Sequence, residues 1–234
     1  MVRPELPKRF YDSVSVGETE AGYAVLLDGR SVKTPGRRPL AVPGRAAAER
    51  IAAEWAGQGE RIDPATMPLT RLVNTVVDGI ADRADEVRGD LARYIETDLL
   101  FYRAGSPAEL AERERQGWDP VLRWAEERLG VRFHLAEGVM HVAQPDESII
   151  AFRRRIDALE DPFAVAALHQ VTTLTGSALL ALAVAEKRLT GDEAWTLAHL
   201  DEDWNIEQWG ADEEAEARRA ARRAELDAAL VLLG

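Results

Sequence analysis

The sequence predicts an α+β protein: a small antiparallel β-rich domain over residues 1–60, carrying one covering helix, followed by a larger helical domain over residues 61–234. Three observations point there. Between residues 10 and 42, short β-branched runs alternate with turn residues, among them Asp28-Gly29 and Pro35-Gly36. Beyond residue 60 the apolar period lengthens from two to about 3.6. A chain of 234 residues is also long enough to bury a substantial core without staples, and it has no cysteine to supply one.

The first strands are expected at Ser13-Val14-Ser15-Val16, at residues 22–27 and at residues 30–34. Asp28-Gly29 between the last two predicts a tight hairpin, because both central turn residues need positive φ. A meander this short leaves one apolar face open and requires a cover. Residues 45–58 supply it, with Ala48, Ile51, Ala52 and Trp55 on one helical face.

Residues 68–78 then form a helix with Leu69, Leu72, Val73, Val76 and Val77 turned inward. A second helix covers 83–102, where Asp98 interrupts an apolar stripe of Val87, Leu91, Tyr94, Ile95 and Leu99. Further helices are expected at 107–116, 119–129, 146–159, 162–189 with a break near Gly176, and 191–209. Residues 131–143 contain a strand-like alternation that either returns to the N-terminal sheet or forms an ordered loop. The charge run 212–223 pairs Glu214 with Arg218 at i,i+4 spacing and reads as a solvated helix, docked by Leu226, Leu230 and Leu233.

Composition excludes several functions. A net charge of −12 opposes nucleic-acid binding, which needs a field of Lys and Arg to displace counterions. The longest apolar stretch, 163–184, contains His169, Gln170 and several threonines, so no membrane span is expected. The N-terminal segment lacks an apolar signal core or an amphipathic presequence, which implies a soluble, cytoplasmic protein. No phosphate-binding glycine loop and no serine nucleophile elbow occur. The histidines, His134, His141, His169 and His199, show no metal-binding spacing. No catalytic residue, metal or cofactor is expected. The rival reading is a metal-dependent or acid/base enzyme built on His199, Asp201 and Glu202, with Asp98 as a further carboxylate.

The acidic helix near the C-terminus is the most informative element. Thr190 and Glu193 fit a capping box that starts it. At helical spacing, Trp195, His199, Glu202, Ile206 and Trp209 share one stripe, with Leu197, Leu200 and Trp204 roughly opposite. Glu202 thus sits among aromatic and apolar residues, where a carboxylate needs either an arginine of its own chain or a basic partner surface. Asp201, Asp203 and Glu207 flank it and extend the negative field, or simply solvate the helix.

Many motifs in one order resemble a single family. They are Arg9-Phe-Tyr11, Gly22-Tyr23, Leu27-Asp-Gly-Arg-Ser-Val-Lys-Thr-Pro35, the helix ending at Glu54-Trp55, Gln58 and Met67-Pro-Leu-Thr70. The series continues with Tyr94-Ile-Glu-Thr-Asp-Leu-Leu-Phe-Tyr-Arg103, Trp118-Asp-Pro120, Thr175-Gly-Ser-Ala-Leu-Leu-Ala-Leu-Ala183 and Leu200-Asp-Glu-Asp-Trp-Asn-Ile-Glu-Gln-Trp-Gly210. Over residues 9–217 the chain resembles the assembly chaperones that act on the F1-ATPase alpha subunit. The resemblance implies a β-rich part followed by an orthogonal helical bundle, and a binding protein that keeps the unassembled alpha subunit from aggregating until it pairs with beta. Partner contacts are expected along this helix at Glu202, Asp201, Asp203, Glu207 and Trp209, and the resemblance places the family's important acid on Asp201 or Glu202. Trp55 is the other sensitive position in the family, either as a contact or as a packing anchor. Eukaryotic members work in the mitochondrial matrix behind a presequence; here the first motif begins at Arg9, which implies a bacterial cytoplasmic member.

Overall fold

A computed structural model describes residues 5–234, so the first residues of the N-terminal reading lie outside the described residues. The β-branched run forms strands β1 (Val14–Thr19) and β2 (Gly22–Leu27), antiparallel, with Val14 opposite Leu27 and Thr19 opposite Gly22. Short strands β3 (Arg30–Ser31) and β4 (Ala41–Val42) pair with β2. The expected hairpin turn is present: Asp28 and Gly29 have φ of 48° and 77°. Asp28 tolerates this conformation because its carboxylate accepts the backbone N–H of Ser13 at 2.8 Å and the Ser13 hydroxyl at 3.0 Å.

Helix α1 (Arg45–Ala56) covers the sheet, burying Ala48 and Ile51 against β1 and β2. Its Glu54 carboxylate receives the N–H groups of Leu69 and Thr70, both at 2.8 Å, and the Thr70 hydroxyl at 2.6 Å. Glu54 thereby satisfies the free N-terminal donors of α2 (Pro68–Thr75), which has no cap of its own at Met67. A wide π-helical turn follows over Val76–Ile80.

Chain contacts divide the protein into two compact units that meet at Asp82 and Arg83, whereas the sequence placed the boundary at residue 60. The difference has a polar cause. Asp78 accepts the Thr34 hydroxyl at 2.5 Å and the Gly36 N–H at 2.7 Å, while Arg38 reaches the Val77 carbonyl and Asp82. Residues 64–82 are helical in period yet bonded to the strand connections.

In the second unit, α3 (Ala84–Tyr94) ends earlier than the expected residue 102. Asp98 adopts extended backbone and its carboxylate caps a single tight turn at Leu99–Phe101 through the Leu100 N–H. The two helices expected at 107–116 and 119–129 are one, α4 (Ala108–Leu129), running through Pro120. Proline lacks only one N–H and favours helical φ, and the packing of both halves holds the helix together: Glu114, Trp118, Val121 and Leu122 are all buried. Residues 131–143 do not return to the N-terminal sheet. Their strand β6 (Ala136–Glu137) pairs in parallel with β5 (Tyr102–Arg103).

Helix α5 (Asp146–Asp157) leads to α6 (Pro162–Thr175) and α7 (Ala178–Ala185). The expected break falls at Gly176, whose φ of +68° suits glycine, and Ser177 caps α7 by accepting the Leu180 N–H at 3.0 Å. Helix α7 is apolar all round and buried up to Val184, as a central helix must be. The final elements are α8 (Gly191–Ala198), α9 (Leu200–Trp209) and α10 (Glu213–Leu233). The predicted capping box of Thr190 and Glu193 starts α8. The single helix expected over 191–209 is broken at His199, where ψ is 20° and the α8 pattern stops. Helix α10 docks along α6 through buried Leu226, Ala228 and Ala229, with Leu230 and Leu233 half-buried. Its charged run is not all solvated, since Arg222 donates to the Leu174 carbonyl at 2.7 Å.

Candidate partner-binding site

The break at His199 decides what each acid of the C-terminal motif can do. Two features hold the break. The His199 ring is buried and lies tilted against the Trp195 ring, centroids 3.8 Å apart, and its Nδ1 lies 2.8 Å from the Trp195 carbonyl. Burial depresses the His199 pKa below its ordinary value, outweighing the carbonyl contact, so the ring is neutral at pH 7. Because α9 starts anew after this residue, its faces are not those of one continuous helix.

Asp201, in the first turn of α9, turns toward α4. There it meets Glu114, which is 1% exposed and accepts the Ala104 N–H at 2.7 Å. Burial raises both carboxyl pKa values, and the Asp201 charge raises that of Glu114 further. Two carboxyls in contact titrate as a pair and share a proton. Asp203 goes the other way and pairs with Arg219 of α10 at 2.5 Å. Glu207 is held by Arg113 of α4 at 2.8 Å, and the same guanidinium covers the Trp204 ring at 4.7 Å.

Glu202 is the exception among the motif's acids. It makes no close salt bridge: His199 Nε2 stands 4.0 Å away on a neutral ring, and Arg219, already held by Asp203, attracts it only at longer range. Within the same face Trp209 is 84% exposed. The structure therefore brings Glu202 and Trp209 to one groove, while Asp201, Asp203 and Glu207, though partly exposed, each face a side chain of another helix. Trp55 lies in the other unit, half-buried, with its ring 5.7 Å from Tyr11 and its carbonyl accepting the Tyr11 hydroxyl at 2.7 Å.

The enzyme alternative is built on His199, Asp201 and Glu202 and counts Asp98 as a further carboxylate. Asp98 is wholly buried elsewhere, accepting the Ser177 hydroxyl at 2.7 Å and the N–H groups of Leu100 and Leu179 at 3.0 Å. It ties the end of α3 to the α6–α7 junction. Among the described residues no three His, Asp or Glu side chains gather in a way that would hold a metal ion. Nor does any helix among them have the length and apolarity to cross a membrane. Sequence reasoning missed Glu114 and Glu54. The first stands in a run of charged residues with no local signal; the second adjoins Trp55 in the Glu-Trp motif.

Solved structures with this fold define its class as chaperone. One is a candidate chaperone from Agrobacterium tumefaciens, 52% identical, with a TM-score of 0.91 over 97% of this chain and 85% of that one. Atp12 from Paracoccus denitrificans is 40% identical, with a TM-score of 0.87 over 97% of each chain, and a variant of it with lysine in place of one aspartate superposes with the same TM-score. The mitochondrial protein atp12 of Schizosaccharomyces pombe is 24% identical over 225 residues, spanning 89% of this chain and 75% of that protein. A family profile described as ATP12 chaperone protein matches residues 8–126. The chain belongs to the ATP12 chaperone family and has a chaperone role in F1-ATPase assembly.

Proposed function

We propose that this chaperone binds the unassembled F1-ATPase alpha subunit, through the α9 face that carries Glu202 and Trp209, and acts as a holder and not as an enzyme. The observation that carries the reading is the sorting of the acids: Asp203 and Glu207 are held in close salt bridges and Asp201 faces Glu114, whereas Glu202 lines an accessible groove with no close salt bridge of its own. A carboxylate without a close salt bridge beside an exposed indole suits recognition of another protein, where polar contacts set specificity and an aromatic anchor supplies contact area. An unassembled subunit exposes apolar interface that aggregates, and a holder must cover it yet leave when beta arrives. That favours a modest, polar-rimmed contact over a large apolar one. Trp55 is assigned to packing within its own unit, and the site of action to the bacterial cytoplasm.

The test is co-expression of the chain with its cognate alpha subunit. Wild type is expected to keep alpha in solution and to co-purify with it. Glu202→Lys should lose co-purification while changing the thermal midpoint little, because the side chain is 39% exposed and makes no close salt bridge. Retention of alpha by Glu202→Lys at wild-type level would remove the site assignment, and aggregation of alpha alongside wild type would remove the function.

A further inference from the structure

Helices α9 and α10 diverge from a short turn at Gly210 and leave between them a groove of about 480 Å³. Ile206 and Trp209 from α9 and Ala215 from α10 give its walls an apolar part, with Asn205 as a polar neighbour. Ala215 is the small side chain of the α10 wall. Three carboxylates, Glu202, Asp212 and Glu216, stand around this floor. The one cation lining it, Arg219, is already matched by Asp203 at 2.5 Å and is only 21% exposed. Asp212 also caps α10 through the Ala215 N–H at 2.8 Å, which holds it at the rim. With His199 neutral and Arg219 shared between Asp203 and the field of Glu202, the three rim carboxylates leave the groove net negative.

We propose that this groove receives an apolar side chain presented by a basic amphipathic segment of the partner, with Lys or Arg residues on either side of it meeting Glu202, Asp212 and Glu216. The inference rests on the binding reading above and adds the chemistry of what is bound. Charge complementarity selects this occupant. A second copy of the chain, with a net charge of −12, is repelled by the same rim. An acidic or neutral segment would leave three carboxylates to be desolvated without partners.

The test uses the full chain and a fluorescently labelled short helical peptide with Leu on one face and Lys and Arg on the other, followed by anisotropy. Controls are a peptide of the same composition with its spacing scrambled and one with Glu in place of the basic residues. The amphipathic basic peptide should bind, and at least about tenfold more weakly to Ala215→Trp, which fills the groove, and to Glu216→Arg, which reverses the rim. Circular dichroism should show both variants folded; Glu216 is fully outside the core, so its result stands even if the indole disturbs α10. Equal binding of the scrambled peptide, unchanged binding to both variants, or self-association of the chain in place of peptide binding would each overturn the inference. The alpha co-purification experiment separates the two readings. Alpha held equally by wild type and Ala215→Trp leaves the function standing and removes the groove. Groove-dependent peptide binding without retention of alpha supports the groove and removes the alpha reading.

Discussion

Replacing Asp98 by asparagine tests whether a buried carboxylate is the joint between α3 and the α6–α7 turn. One oxygen accepts from Leu100 N–H and Ser177 hydroxyl, the other from Leu179 N–H, so every neighbour is a donor. Asparagine keeps one acceptor and turns an NH2 group toward a donor, leaving at least one buried N–H unsatisfied. That costs about 2 kcal/mol at pH 7, within the usual range for a buried polar group left unpaired. For a protein of this size the thermal midpoint should fall by about 4–8 °C. The pH dependence adds a sign. Burial raises the Asp98 pKa from 3.8 to about 6, against the pull of its donors. The folded state thus holds this proton more tightly than the unfolded one, and the group's contribution to stability is greatest below pH 3.8 and falls as pH rises through about 6. Between pH 7 and pH 5 wild type should gain about 1 kcal/mol from this site, and Asp98→Asn should gain nothing from it. Midpoints measured by circular dichroism for both proteins at pH 5 and pH 7 should therefore differ more at pH 5. Equal midpoints at both values, or a gap that widens as pH rises, would refute the reasoning.

Glu54→Ala removes three bonds from the start of α2 and should lower stability by about 2 kcal/mol, seen as a shift in the urea midpoint at unchanged slope. Glu114→Gln should flatten the fall in stability above the ordinary carboxylate range, because the raised carboxyl pair loses its proton there in wild type; a steeper fall in thermal melts at pH 5 and pH 8 would contradict the shared-proton contact. Leu180→Ala opens a cavity in the fully buried helix α7 and should cost about 2–5 kcal/mol, read by chemical denaturation.

Local rules were legible in the sequence where one element sets its own geometry. The Asp28-Gly29 turn, the Ala48–Ile51 face of α1, the break at Gly176 and the capping box at Thr190 all follow from positive φ, helical period or side chain-to-backbone bonding within a few residues. Motif order carried the family, because many short matches in sequence survive without any knowledge of contacts.

What the chain alone left open were matters of partnership between distant residues. The helical period of 68–78 says nothing of Asp78 bonding back to Thr34 and Gly36, so the first unit extends farther than its strands suggest. The break expected between residues 116 and 119 is absent, because buried side chains on both sides of it hold α4 as one helix. Above all, the sequence supplied a row of equivalent carboxylates from Asp201 to Glu207, and a helical wheel drawn through His199 could not rank them. Only the tertiary structure did so, because a carboxylate's role depends on which arginine or acid faces it: Glu114 takes Asp201, Arg219 takes Asp203 and Arg113 takes Glu207, and Glu202 remains beside the groove.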